Sequence, residues 1–146
     1  MTSAPASTSP FREGALPYKS AGIGLATFFG SPLAGGLLLW LNERRRQDGG
    51  RPLLALTLAL IVLAVSLVLA YYLPANIPAA IFTAVQMVAM ALIARRVQGQ
   101  AILAHTASGR PCSSDWKAVG IGLLFLVVIL LVAMPLTYLG AQKLGL

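Results

Sequence analysis

Apolar residues along this chain gather in four long uncharged blocks, Ala21–Asn42, Pro52–Leu73, Ile77–Ala94 and Ala118–Leu139, and every charge lies in the links and tails around them. Continuous apolar blocks of this length predict helices that cross a bilayer, for which about 20 residues suffice. At 1.5 Å per residue, Pro52–Leu73 covers roughly 33 Å, while Ile77–Ala94 is just long enough. On Pro52–Leu73, Ala55, Ala59, Ser66 and Ala70 share one face and predict its packing surface. Tyr71 and Tyr72 end that block where an interfacial aromatic belt belongs. Ala118–Leu139 has few small residues beyond Gly122 and is expected to face lipid most.

The first block is interrupted at its centre by Gly30-Ser31-Pro32. Proline lacks an N–H and its ring clashes with the preceding turn. Glycine is the residue that ends helices in a left-handed conformation, serine is a good N-cap, and proline suits the first helical position. The triplet therefore predicts a stop at Gly30, a cap at Ser31 and a restart at Pro32. Two structures satisfy it: a re-entrant hairpin of two half-helices, or one spanning helix kinked at Pro32. Small residues at Gly22, Ala26, Gly30 and Ala34 recur every fourth position, a ridge that lets helix backbones approach closely. This block is expected inside the bundle.

The links carry the orientation. Glu43–Arg51 contains Arg44, Arg45, Arg46 and Arg51, with a turn at Gly49-Gly50; Pro74–Pro78 carries no charge. The Arg95–Lys117 link contains Arg95, Arg96, Arg110 and Lys117. Its first part, VQGQAILAH, is expected to extend a helix beyond the bilayer before Ser108-Gly109-Arg110-Pro111 turns the chain. Ser113 or Ser114 then caps the last helix, with Trp116 and Lys117 at the interface. Basic links favour the cytoplasmic side, so links 43–51 and 95–117 are expected inside and the C-terminus outside, in the periplasm of a bacterial cell. With Arg12 and Lys19 included, a kinked span gives eight Lys and Arg inside against three outside, and a hairpin gives ten against one. The bias favours the hairpin.

Composition narrows the class further. The chain is 58% hydrophobic and only 10% charged, against about 25% charged in soluble domains. Its net charge of +7 sits in links flanking apolar blocks, which leaves no nucleic-acid face. Residues 1–20, rich in Ser, Thr, Ala and Pro, read as a disordered tail, and 21–146 as a single transmembrane helical domain. The opening MTSAPASTSP has no charged n-region leading into an apolar core, so no signal peptide is expected.

Two stretches, ATFFGSPLAGGLLLWLN (Ala26–Asn42) and RRVQGQAILAHTASGRPCSSDWKAVGIGLL (Arg95–Leu124), carry a resemblance. In the second, Gln98-Gly99, His105, Gly109, Trp116 and Gly120-Ile121 have the spacing seen in a family of small multi-span bacterial membrane proteins with no established activity. The resemblance covers about a third of the chain. It implies a bacterial inner-membrane protein with a broken first segment, and it brings no chemistry with it.

Candidate chemistry is sparse. The acids Glu13, Glu43, Asp48 and Asp115 all lie in links or the tail, so no buried carboxylate is expected. Ion-coupled carriers place ionisable groups inside the membrane, so their absence argues against an antiporter or pump. Gln86, the most polar side chain inside a span, reads as an interhelical hydrogen bond and less readily as the lining of a pathway. His105 and Cys112, seven residues apart, are too few for a zinc site. A lone histidine without a nucleophile or acid reads as a packed or capping group at a helix end. Arg44, Arg45 and Arg46 can meet anionic lipid headgroups, although an orientation signal accounts for them fully. No catalytic set, metal site or cofactor is expected. Gly30, Ser31, Pro32, Gln86, Gln98 and His105 are the positions singled out for function or packing. The leading expectation is a non-enzymatic inner-membrane protein working through helix or protein contacts, with itself or a partner, as an accessory, regulatory or immunity-type subunit. The alternative is a small channel or carrier whose path runs by the break, where transporters place their sites.

Overall fold

The computed structural model describes residues 9–74 and 76–144. They form four helices: α1 (Ser20–Arg44), α2 (Pro52–Tyr72), α3 (Ala79–Ala107) and α4 (Asp115–Leu144). All four are long and apolar enough to cross a membrane by length and composition. They differ sharply in burial. In α1, 67% of the hydrophobic window is buried inside the molecule, against 17% in α2 and 11% in each of α3 and α4. The other three helices surround α1, and among the described residues α4 packs on α1 alone.

α1 doubles back. Ser31 has φ 76° and ψ 168°, and the helical path is broken there. The amide of Tyr18, just before the first arm, donates to Asn42 Oδ1 in the last turn of the second, at 2.9 Å. A straight helix would separate those residues by about 36 Å. Midway along, the hydroxyl of Thr27 lies against Gly35. The division of labour at the break differs from the expected one, because Ser31 and not Gly30 takes the positive φ. Ser31 also caps the second arm, its Oγ accepting from the Leu33 amide at 3.4 Å. Gly30 serves close approach instead. A Cβ there would run into the carbonyl oxygen of Gly122 and lie 2.8 Å from its Cα.

The small ridge explains the assembly. Gly22 and Gly30 of the first arm lie against Asp115, Ala118 and Gly122 of α4, and Gly122 packs on the backbone of Ala26. On other faces, Gly24 meets Met87 and Ala91 of α3, and Gly36 of the second arm meets Ala59 of α2. Close backbone approach of this kind is a mode of helix packing characteristic of apolar surroundings. Ala55, Ala59 and Ser66 of α2 are buried as their shared face predicts, and Ala70 is exposed. Pro52 begins α2, Ser114 Oγ caps α4 through the Trp116 amide at 3.3 Å, and Gly49 and Gly109 turn the links with positive φ.

The tail departs from the disorder expected of it. Residues 1–8 lie outside the described residues, but Ser9, Phe11, Pro17 and Tyr18 are buried. From Ser9 on, the tail is a strap across one end of the bundle. Phe11 and Arg46 form an isolated antiparallel bridge, and Gln47 and Arg12 amides donate to Pro10 and Arg45 carbonyls at 2.9 Å each. Composition alone suggested disorder; Phe11 escapes it by finding an apolar seat against Ala101 and Ile102 of the α3 extension.

Candidate functional site

Apart from Thr27 and Ser66, the buried polar groups of the described residues collect at the strap end, where both arms of α1, the long extension of α3 and the two longer links meet. α3 is about 44 Å long, so its last turns project beyond an apolar core of about 30 Å. Gln98, Ile102 and His105 lie on the inner face of that projection.

Asn42 and Gln98 form its centre, and both are fully buried. Asn42 Nδ2 donates to the Tyr18 carbonyl and to Gln98 Oε1, each at 2.8 Å, while its Oδ1 accepts from the Tyr18 amide. Gln98 Nε2 donates to the Leu39 carbonyl at 2.8 Å. Two amides thereby bind the start of α1, its end and α3 into one unit. The need is physical. A hairpin mouth exposes backbone groups that no neighbouring strand or turn satisfies, and a buried unsatisfied group costs about 1–3 kcal/mol.

His105 makes a second centre about two turns further along α3. Its Nε2 faces the Pro111 carbonyl at 3.0 Å, so that nitrogen carries the proton in the neutral ring. Nδ1 then accepts from the Ser9 hydroxyl at 2.7 Å, and Ser9 Oγ accepts from the Phe11 amide at 3.2 Å. The Phe11 ring stands edge-on to the imidazole, 5.3 Å between centroids. A hydroxyl beside an imidazole resembles a nucleophile and its base. Here both are buried, and the second ring nitrogen is held by a carbonyl in place of an acid. The arrangement fastens the strap and the α3–α4 link, as does the Ser113 amide bonding to the Pro17 carbonyl at 2.9 Å.

The arginine cluster is largely occupied. Arg45 Nη1 donates to the Leu16 carbonyl at 3.0 Å and its guanidinium lies 5.9 Å from the Tyr18 ring. Arg46 pairs with Asp48 at 2.5 Å and with Glu43 at 3.4 Å. Arg44 stacks over Trp40 at 4.7 Å. Hydrogen bonding to Arg46 holds the Asp48 carboxyl below the usual aspartate range. Glu43 corrects the expectation that no carboxylate is buried: it is 2% exposed, and its Oε2 accepts from the Arg51 amide at 2.7 Å. Asp115 Oδ1 is likewise buried, without a hydrogen-bond partner among the described residues. Its place at the start of α4 suits a negative charge. Burial pushes the Cys112 thiol up, with Asp115 adding to the effect and nearby Lys19 opposing it.

Of the positions singled out from sequence, Gly30, Ser31 and Pro32 form the hairpin crest, while Gln98 and His105 stand at its mouth. Gln86 joins neither group. It is half-buried and makes no hydrogen bond among the described residues, so the expected interhelical bond is absent. On α2, the Thr57 hydroxyl bonds within its own helix, donating back to the Leu53 carbonyl at 2.9 Å. Sequence reasoning missed Asn42, Ser9 and Glu43. Asn42, at the very end of an apolar block, was the one signal available. The described residues hold no group of three or more His, Cys, Asp or Glu side chains placed for a metal. No protein-family model, curated protein or solved structure matches this chain.

Proposed function

We propose that the chain is a bacterial inner-membrane protein of three spanning helices, α2, α3 and α4, built around α1 as a re-entrant hairpin. It acts without catalysis, through contact with another membrane protein or a second copy, as an accessory, regulatory or immunity-type subunit. Each arm of α1 is about 16–20 Å long, roughly half the hydrocarbon thickness. Non-helical backbone at that depth is tolerated only inside protein, and the crest at Ser31 lies against α4. With both ends of α1 at the strap, the tail and the two basic links fall at one end of the bundle, together with ten of the eleven Lys and Arg residues. That end is read as cytoplasmic, which puts the 74–78 link and the C-terminus in the periplasm.

The observation that carries the functional reading is the packing of the crest. Gly30 sits against the Gly122 backbone with no space for a methyl group. A carrier that used the break as its substrate site would need a wet or open crest, and this one is filled. The outer faces of α2 and α4, with Leu67, Val68, Leu124 and Leu131 exposed, supply the contact surface. Photo-crosslinking residues at Val68 and Leu124, in native membranes, should trap a discrete partner or a second copy. Solute flux in proteoliposomes that disappears with Gly30→Ala, while the fold persists, would favour the channel or carrier reading instead.

A further inference from the structure

An open apolar face and a groove lie end to end on one stripe of α3. The upper part, the open face, is wholly apolar and is formed by Ile81, Val85, Val88 and Leu92 among others, all on α3 itself. The lower, about 520 Å³, lies between α3 and the start of α1 and is lined by Lys19, Ala21, Arg95, Gly99 and Leu103 among others. Positions 81, 85, 88, 92, 95, 99 and 103 follow the three-and-four spacing of a single helix face. The stripe is therefore continuous, apolar within the membrane span and cationic at its boundary.

We propose that this stripe binds one anionic phospholipid, with its phosphate between Lys19 and Arg95 and an acyl chain along Ile81–Leu92. The inference rests on the membrane reading above. The Lys19 and Arg95 side chains make no hydrogen bond or ion pair among the described residues, and no carboxylate lines the groove or the apolar face. That separates them from Arg45 and Arg46, which are held by the strap and by acids. The first-turn amides of α1 add donors at the same place, because Lys19 provides no side-chain cap. The apolar face, continuous with the cationic groove, decides the class of ligand. Ile81 to Leu92 covers about 16 Å, the depth of one leaflet's hydrocarbon, and a free phosphate would have no use for it.

The test uses the full chain in phosphatidylcholine nanodiscs, with spin-labelled phosphatidylglycerol as probe and spin-labelled phosphatidylcholine as reference. The phosphatidylglycerol probe should be immobilised preferentially. Lys19→Gln with Arg95→Gln should weaken that preference roughly 30-fold, the product of two basic residues at an anionic surface. Gly99→Leu offers a second route that leaves both charges in place. A Cβ at Gly99 meets nothing within 4 Å, so a larger side chain has room to enter the groove, and it should weaken binding as well. Arg12→Gln, at an exposed cation that lines neither the groove nor the apolar face, should leave binding unchanged. Equal immobilisation of the two probes, or full binding by Gly99→Leu and the double variant, would overturn the proposal. Displacement of the probe by millimolar inorganic phosphate, or by a second copy as protein density rises, would also overturn it. A chain that fails to enter nanodiscs at all would instead sink the membrane reading.

Discussion

At single positions, the structure separates polar residues that look alike in sequence. Gln86 and Gln98 are both glutamines on α3, yet only Gln98 is fully buried and bonded, to Asn42 and Leu39. Gln98→Leu should therefore cost about 1–3 kcal/mol, because it strands a buried carbonyl and an amide proton. Gln86→Leu should stay within about 0.6 kcal/mol; thermal denaturation in detergent distinguishes the two. Ser31 holds a backbone region that is nearly glycine-only and costs about 1–3 kcal/mol. Glycine loses only a few tenths as a cap, so Ser31→Gly should raise the thermal midpoint and Ser31→Val should lower it. Asp48 gives a pH effect whose sign follows from its lowered folded-state pKa. The Arg46–Asp48 contribution is present above the ordinary aspartate range and is lost as pH falls through and below it. The pair is exposed enough that solvent screening keeps its worth within about 1 kcal/mol. An Asp48→Asn variant should show a correspondingly flatter loss of stability on acidification.

Among the elements, α1 is the one whose neighbours decide its shape. Gly30 is pressed into the α1–α4 contact, whereas Gly120 of α4 is exposed and a Cβ there meets nothing within 4 Å. Gly30→Ala should lower stability by about 1–3 kcal/mol, as overpacking does where backbone cannot yield, whereas Gly120→Ala should be neutral or mildly stabilising. Chemical denaturation monitored by circular dichroism reads both. The break itself was legible in Gly30-Ser31-Pro32, because proline and a capping serine act locally. Which residue would bear the positive φ was not legible. That was settled by Gly122, which needs Gly30 to be small and leaves the turn to Ser31.

For the whole molecule, the hairpin sets which segments share a side. In a Cys112→Ser background, cysteines replacing Glu13 and Gln47 should both resist an impermeant reagent in intact cells, and one replacing Asn76 should be labelled. Ser9 is unsuited to this purpose because it is buried against His105. Labelling of Glu13→Cys but not of Gln47→Cys would mean that α1 crosses the membrane and would contradict the hairpin. The His105→Ala variant should free the strap, and limited proteolysis should then cut between residues 9 and 18 faster than in the parent chain.

What the sequence determined by itself is what depends on local chemistry: four apolar helices, the break in the first, the caps and turns of the links, and the gathering of the cations in the links between apolar blocks. Each follows from side-chain hydrophobicity, proline and glycine geometry, or charge, and none requires knowing which residues meet. Tertiary structure decided the rest. Asn42 and Gln98 are 56 positions apart and Ser9 and His105 are 96 apart, so neither pair leaves a local trace. Phe11, set in a stretch of tail-like composition, becomes ordered only because α3 extends far enough to offer it a buried seat. The partners exist because α1 folds back and brings its own two ends to the place where that extension arrives.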